Sequence, residues 1–246
     1  MASDQAVTAT RFFVKPLYMQ VRDALIERIG KGEWKPGTMI PNEVDLAREF
    51  GVSSGTMRKA LDLLEVERAV TRQQGRGTYV TDHSSDAHLL RFCRIGRVDE
   101  ALAAGDSKTI DIIQAPASPE ECHRLRLRPS DEVFRVRGVC LNGKLPFMVE
   151  EASLPAALFP GLSEKRGTPH RIAALAQEHG ILLGKAEERI SIGSASASAA
   201  EALRIASDTP VMRLDRIIRM LDGQPVEWRI AHCNLVGGYF YISEMT

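Results

Sequence analysis

Apolar positions recur at the spacing of one helix face twice in the first third of the chain. Tyr18, Val21, Leu25 and Ile29 mark a first amphipathic helix over about residues 17 to 31, which "GEWKPG" stops. Met57, Ala60, Leu61 and Leu64 fall at i, i+3, i+4 and i+7 of a later one, capped by Ser53. Between them a short helix begins after Pro41, with Asn42 as cap and Asp45 answering as in a capping box, and Gly51 closes it in a left-handed position. The turn between the second and third helices is short, so the pair reads as helix-turn-helix. "AVTRQQGRGTYVT" then switches to two β-prone runs around Gln74-Gly75-Arg76-Gly77, a hairpin. Three helices and a hairpin make a winged helix-turn-helix domain, placed at residues 12–82.

Beyond it the period changes. "TDHSSDAHLL" is polar and without an apolar face, and a linker is placed at 83–91. From there "EVFRVRGVCL", "LPFMVEEASL", "VMRLDRIIRML" and "PVEWRIAHCNL" read as strands joined in pairs by turns at Asn142-Gly143 and Asp222-Gly223. The two hairpins are related, with Pro146 and Glu150 in one and Pro225 and Glu227 in the other. Helices are expected over "IGRVDEALAAG", "HRIAALAQEHG" and "SAAEALRIA", so residues 92–246 form an α+β domain built on an antiparallel sheet.

Composition narrows the partners. The 246 residues carry 32 Lys and Arg against 32 Asp and Glu, so a nucleic-acid surface has to be a local patch. No apolar run reaches the length of a membrane span and no signal-peptide pattern opens the chain, which gives the expectation of a cytoplasmic protein. Cys93, Cys122, Cys140 and Cys233 form no C-x-x-C pair, so neither a metal site, a cofactor nor a disulfide framework is expected.

The candidate chemistry begins at the third helix. Its exposed start carries Ser54, Gly55, Thr56, Arg58 and Lys59, where free backbone amides and the helix dipole favour a phosphate. Arg72, Gln74 and Arg76, with Gly75 and Gly77, give the hairpin tip charge and close backbone approach. A helix-turn-helix is equally a plain packing motif; the adjoining basic wing tips the reading toward DNA.

The stretch from Pro16 to Val80 resembles the DNA-binding domain of the GntR family of bacterial transcription regulators. The resemblance rests on Pro41 and Glu43, Gly51-Val52-Ser53, Thr56, Arg58, Ala60-Leu61 and Gly75-Arg76-Gly77-Thr78. It implies DNA contacts by Asn42, Glu43, Ser53 to Thr56, Arg58, Lys59, Arg72 and Gln74 to Gly77. Two positions depart from the family, Val44 and Ser54, where arginines that help read the operator are common, so Arg58, Thr56, Lys59 and the wing carry more of the contact.

The remainder, with "LPAALFPGL" and "DTPVMRLDRIIRMLDGQPVEW", resembles the UTRA effector domain of the HutC subfamily, which is similar in fold to chorismate lyase. The resemblance implies a homodimer and a pocket for a small, anionic effector. Thr168 is an N-cap before Pro169, and the amides around His170 form an anion site or simply a capped helix. The resemblance places Glu150 and Glu227 in the pocket as acceptors; solvent exposure is the alternative. Gly138 and Cys140 stand where phosphate-binding relatives carry arginines, which points to a less charged or bulkier ligand, while Arg94 and Arg229 are candidate compensating charges. Cys140 and Cys233 are taken as pocket lining, as packing groups or as thiol sensors.

The leading expectation is a repressor that binds double-stranded DNA at a pseudo-palindromic operator, associates with the nucleoid when bound, and is released by the effector. A lyase-type enzyme using Glu150 and Glu227 lacks a nucleophile, metal or cofactor motif beside them. An effector-independent DNA-bridging protein is disfavoured by the neutral charge balance.

Overall fold

A computed structural model describes residues 15–82, 92, 95–97, 106–164 and 172–242. The winged unit comprises α1 (Leu17–Gly30), α2 (Glu43–Glu49), α3 (Ser54–Val66), β1 (Val70–Gln73) and β2 (Gly77–Val80). Its core is the set of apolar stripes: Val21, Leu25 and Ile29 from α1 meet Leu46 and Ala47 from α2 and Met57, Ala60, Leu61 and Leu64 from α3. Asn42 caps α2 by accepting from the Val44 and Asp45 amides, while Asp45 accepts from the Asn42 side-chain amide at 2.7 Å. The expected capping box would have used the Asn42 backbone instead. Ser53 caps α3 through the Thr56 amide, and Gly51 takes the expected left-handed turn at φ 63°.

The second unit is a six-stranded, wholly antiparallel sheet in the order β4-β5-β6-β9-β8-β7. Its strands are β4 (Asp106–Pro116), β5 (Glu132–Asn142), β6 (Leu145–Pro155), β7 (Leu183–Ser194), β8 (Pro210–Met220) and β9 (Pro225–Cys233). Two short helices, α4 (Pro119–Leu125) and α6 (Ala197–Leu203), follow β4 and β7, and α5 (Ile172–Glu178) precedes β7.

The sheet is a duplicated unit. Each half runs strand, short helix, hairpin, and the palindromic strand order puts β6 against β9 at the centre. The helices match in detail: serine N-caps at Ser118 and Ser196, and left-handed C-caps at Arg126 and Arg204 with the same φ 56° and ψ 43°. The related hairpins of the sequence are thus the ends of two β-α-β-β repeats, whose outer strands the sequence reading did not identify.

One further expectation changes. Ile95–Arg97, expected to open a helix, forms instead a short strand, β3, paired with β10 (Tyr239–Tyr241). The rest of that expected helix, the linker 83–91 and the segment holding Thr168 and His170 lie outside the described residues. The main core lies between α5 and one sheet face, where Phe159, Ala173 and Ala176 pack on Val136, Ala152, Leu154 and Ile218.

Candidate nucleic-acid interface and effector face

The start of α3 stands open. Ser53, Ser54, Gly55, Arg58 and Lys59 are exposed and Thr56 is half-buried, so the helix end that favours an anion is accessible. Arg58 folds back on Glu43, donating through Nε at 3.1 Å and Nη2 at 2.9 Å, and this hydrogen-bonded pair raises its pKa above the ordinary value. Lys59 lies with Nζ 4.1 Å from the centre of the Tyr18 ring.

The wing is tied to the same helix. Arg72 reaches across to Asp62, to Glu65 at 3.3 Å and to the Arg58 carbonyl at 3.5 Å. Arg72, a candidate phosphate contact, is half-buried, and its side chain lies along the surface against α3, holding wing and helix side by side. Gln74, Gly75, Arg76 and Gly77 form the exposed tip. The two glycines differ. A β-carbon on Gly75 would meet nothing, whereas one on Gly77 would stand 2.8 Å from the Met39 sulfur, at a φ of 126°. Gly77 therefore serves the wing's own packing and Gly75 the open tip.

In the second unit, pleating gathers most of the effector candidates on one face. Gly138 pairs with Glu150 and Glu150 with Ala231; Cys140 pairs with Met148 and Met148 with Cys233. Glu227 and Arg229 share that phase with Arg216 on β8 and Glu188 on β7. Glu227 is only 1% exposed, Arg216 4%, Glu150 8% and Arg229 9%, which removes the solvent-facing alternative for both glutamates.

The charges pair within the face. Arg229 donates from Nη1 to Glu150 at 2.6 Å and lies 3.5 Å from Glu188 through Nη2. Arg216 donates to Glu227 at 2.8 Å and to the Phe92 carbonyl at 2.6 Å, and Tyr241 donates its hydroxyl to Glu188 at 2.7 Å. Burial works against the charge on Arg229, but Glu150, Glu227 and Glu188 together raise its pKa; burial and then Arg229 lower that of Arg216. Cys140 and Cys233 are buried with Met148, Phe147 and Leu214 and form an apolar wall beside the charges. Arg94, Thr168 and His170 lie outside the described residues.

Glu188 and Arg216 were missed by the sequence reading, although a signal was present. Arg216 sits in the buried phase Met212, Leu214, Ile218, and Glu188 in the phase of Ala186 and Ile190. Among the described residues the opposite face carries clefts of about 240 and 270 Å3. Arg135 in one donates to Glu121 at 2.7 Å, and Arg137 in the other lies 3.9 Å from Glu151.

Comparison with known proteins agrees with both halves. Residues 17–80 match the family model described as bacterial regulatory proteins, gntR family, and residues 103–235 match the UTRA domain. The chain is 28% identical over 217 residues to the mannosyl-D-glycerate transport/metabolism system repressor MngR of Escherichia coli, covering 87% of this chain and 90% of that one. It is 29% identical over 161 residues to the histidine utilization repressor of Pseudomonas putida, covering 63% and 64%. Among solved structures, a GntR-family transcriptional regulator from Enterococcus faecalis aligns with a TM-score of 0.51 at 26% identity, over 56% of this chain and 99% of that one. The ligand-binding domain of a GntR-family regulator from Bordetella bronchiseptica aligns with a TM-score of 0.58 at 22% identity, over 63% and 98%, a likeness of fold. These families and relatives are regulators, not enzymes, so the lyase alternative falls away.

Proposed function

Since the chain belongs to the GntR family of bacterial regulatory proteins and carries a UTRA domain, we propose that it works as a homodimer on a pseudo-palindromic operator and lets go when a small molecule occupies the charged sheet face. DNA binding and regulation by an effector come with the two families; the symmetry, the site residues and the release are this proposal. The division at residues 12–82, 83–91 and 92–246 serves as its domain map.

The observation that carries it is the joined surface of α3 and the wing. Arg72 fixes the two side by side, leaving Ser54 to Thr56, Arg58, Lys59 and Arg76 on the outside. A helix N-terminus of this kind enters the major groove while the wing tip follows the backbone or minor groove. One such unit makes few base contacts, and two-fold pairing doubles them. The sheet has an edge suited to pairing: β7 has no neighbouring strand on one side, and its Ile190 and Ile192 side chains are exposed, Ile192 to 81%. Release follows if the effector binds better to an arrangement whose two recognition helices misfit the half-sites. A soluble regulator of this kind works in the cytoplasm, on the nucleoid.

Fluorescence anisotropy with DNA from around the protein's own gene tests the reading. Sequence-preferring, salt-dependent binding with one dimer per site is expected; equal binding to scrambled DNA overturns it.

A further inference from the structure

On the face opposite the effector candidates, the duplicated sheet repeats one charged constellation and omits its acid the second time. In the first repeat Glu121 of α4 is 3% exposed. It accepts from Arg135 Nε at 2.8 Å and Nη2 at 2.7 Å, and from the Ser153 hydroxyl and the Ser118 amide at 2.7 Å each. Arg135 and Ser153 are directly paired across β5 and β6.

The spacing that relates Ser118 to Ser196 and Arg126 to Arg204 carries Glu121 to Ala199 and Arg135 to Arg213. Arg213 is paired with His232 across β8 and β9 as Arg135 is with Ser153. The guanidinium is thus kept and the hydroxyl becomes an imidazole, but α6 presents a methyl group where α4 presents a carboxylate. That methyl group lines the cleft of about 240 Å3, together with Ser198, His232, Val149 and Ile230, and with Arg137 beside Glu151.

Arg213 is weakly engaged. Where Arg135 turns to Glu121, Arg213 reaches only Asp215 at 3.4 Å, and Asp215 already accepts from Arg124 and the Trp228 indole at 3.0 Å each. Burial and then the Arg213 charge lower the pKa of His232; an anion set between guanidinium and imidazole relieves both. The carboxylates lining the cleft are met elsewhere, Glu151 by Arg137 and Glu150 by Arg229.

We propose that this cleft is a second binding site, separate from the effector face, for a small monocarboxylate that takes the place of the missing acid. Its carboxylate accepts from Arg213 and His232, and a short apolar chain lies along Val149 and Ile230. The volume suits an acid of a few carbons, and a second negative charge would be brought against Glu151. The site goes beyond the regulator reading and does not depend on it.

Calorimetric titration of the full-length protein with acetate, butyrate and benzoate, each beside its amide, tests the proposal. At least one acid is expected to bind saturably and to raise Tm, and its amide to do neither. Arg213→Gln and His232→Ala are each expected to weaken that binding about tenfold, the loss of one charge-assisted hydrogen bond. Ala199→Glu rebuilds the first repeat's constellation within the chain, and is expected to abolish acid binding while raising the unliganded Tm. No saturable binding of any of the three acids, equal binding of acid and amide, or tighter binding of succinate than of butyrate overturns the proposal. Unchanged affinity in both Arg213→Gln and His232→Ala overturns it too, whatever Ala199→Glu does.

Discussion

Gly180 and Gly30 touch backbone to backbone: a β-carbon on Gly180 would stand 2.5 Å from the Gly30 carbonyl oxygen. This places the turn after α5 against the end of α1. Nearby, Arg22 on α1 donates to the Leu221 carbonyl at 3.1 Å, in the turn between β8 and β9, and Gln177 donates to Asp82 at 3.0 Å. Leu182 and Leu221 pack against the three-helix core. The winged unit therefore rests on two turns whose elements lead back to the effector face: β9 carries Glu227 and Arg229.

Gly180→Ala is expected to break this contact. Its φ of 67° is unfavourable for alanine and the added carbon would overlap a carbonyl oxygen, together about 1–3 kcal/mol against the docked arrangement. Calorimetry is expected to show one transition for the parent and two for the variant, and effector addition should change operator affinity less than in the parent. An unchanged single transition would show that the contact holds nothing together.

Arg58 and Arg72 should behave differently although both are basic and both belong to the recognition surface. Arg58→Ala removes an exposed cation and is expected to weaken DNA binding and to lower the slope of log K against log salt by about one. Glu43→Gln, which frees Arg58 from its carboxylate, is expected to raise affinity for scrambled DNA more than for operator. Arg72→Ala loosens the wing and is expected to reduce discrimination between the two DNAs. Equal salt slopes for parent and Arg58→Ala would exclude Arg58 from the phosphate contacts.

Glu121 makes stability dependent on acid. Burial would raise its pKa, but Arg135, the Ser118 amide and the Ser153 hydroxyl hold the carboxylate down at about 2, against an ordinary 4.5. A depressed folded-state pKa means the contribution is complete above the unfolded value and is lost as pH falls from there toward about 2. The amount is about 3 kcal/mol. Urea unfolding between pH 6 and pH 2 should show a steep acid limb that flattens in Glu121→Gln; parallel limbs would remove Glu121 as its source.

The winged unit was legible almost residue by residue because its signals are local. Met57, Ala60, Leu61 and Leu64 declare the buried stripe of α3, and Ser53 and Asn42 declare caps that need only the next three amides. The sheet was legible in its inner hairpins, where Gly143 and Gly223 mark turns at φ 58° and 90°. Its outer strands were not. β7 reads as polar because most of it is exposed at the sheet edge, so alternation is muted. Arg72 shows the other limit: its residue type suits phosphate, and only the proximity of Asp62 and Glu65 in space shows that it also ties the wing to α3. The pairing of Glu150 with Arg229 likewise depends on β6 lying beside β9, a contact between two repeats that no local pattern announces.

Arg216 and Glu227 provide the last test, because their pairing is almost wholly sealed. With side chains 5% and 1% exposed, the pair gave up nearly all its hydration; among the described residues it meets through a hydrogen bond of 2.8 Å, and Arg216 donates a second to the Phe92 carbonyl. Such a pair adds little net stability over apolar residues of the same size, yet removing one partner strands a buried charge. Arg216→Met should accordingly cost about 3–5 kcal/mol in urea unfolding, and Glu227→Leu a similar amount. The double variant should recover part of that loss, since it removes both charges together. Recovery of stability without recovery of effector response would mark the pair as retained for the ligand. Additive losses in the double variant would mean that the two side chains do not act on each other.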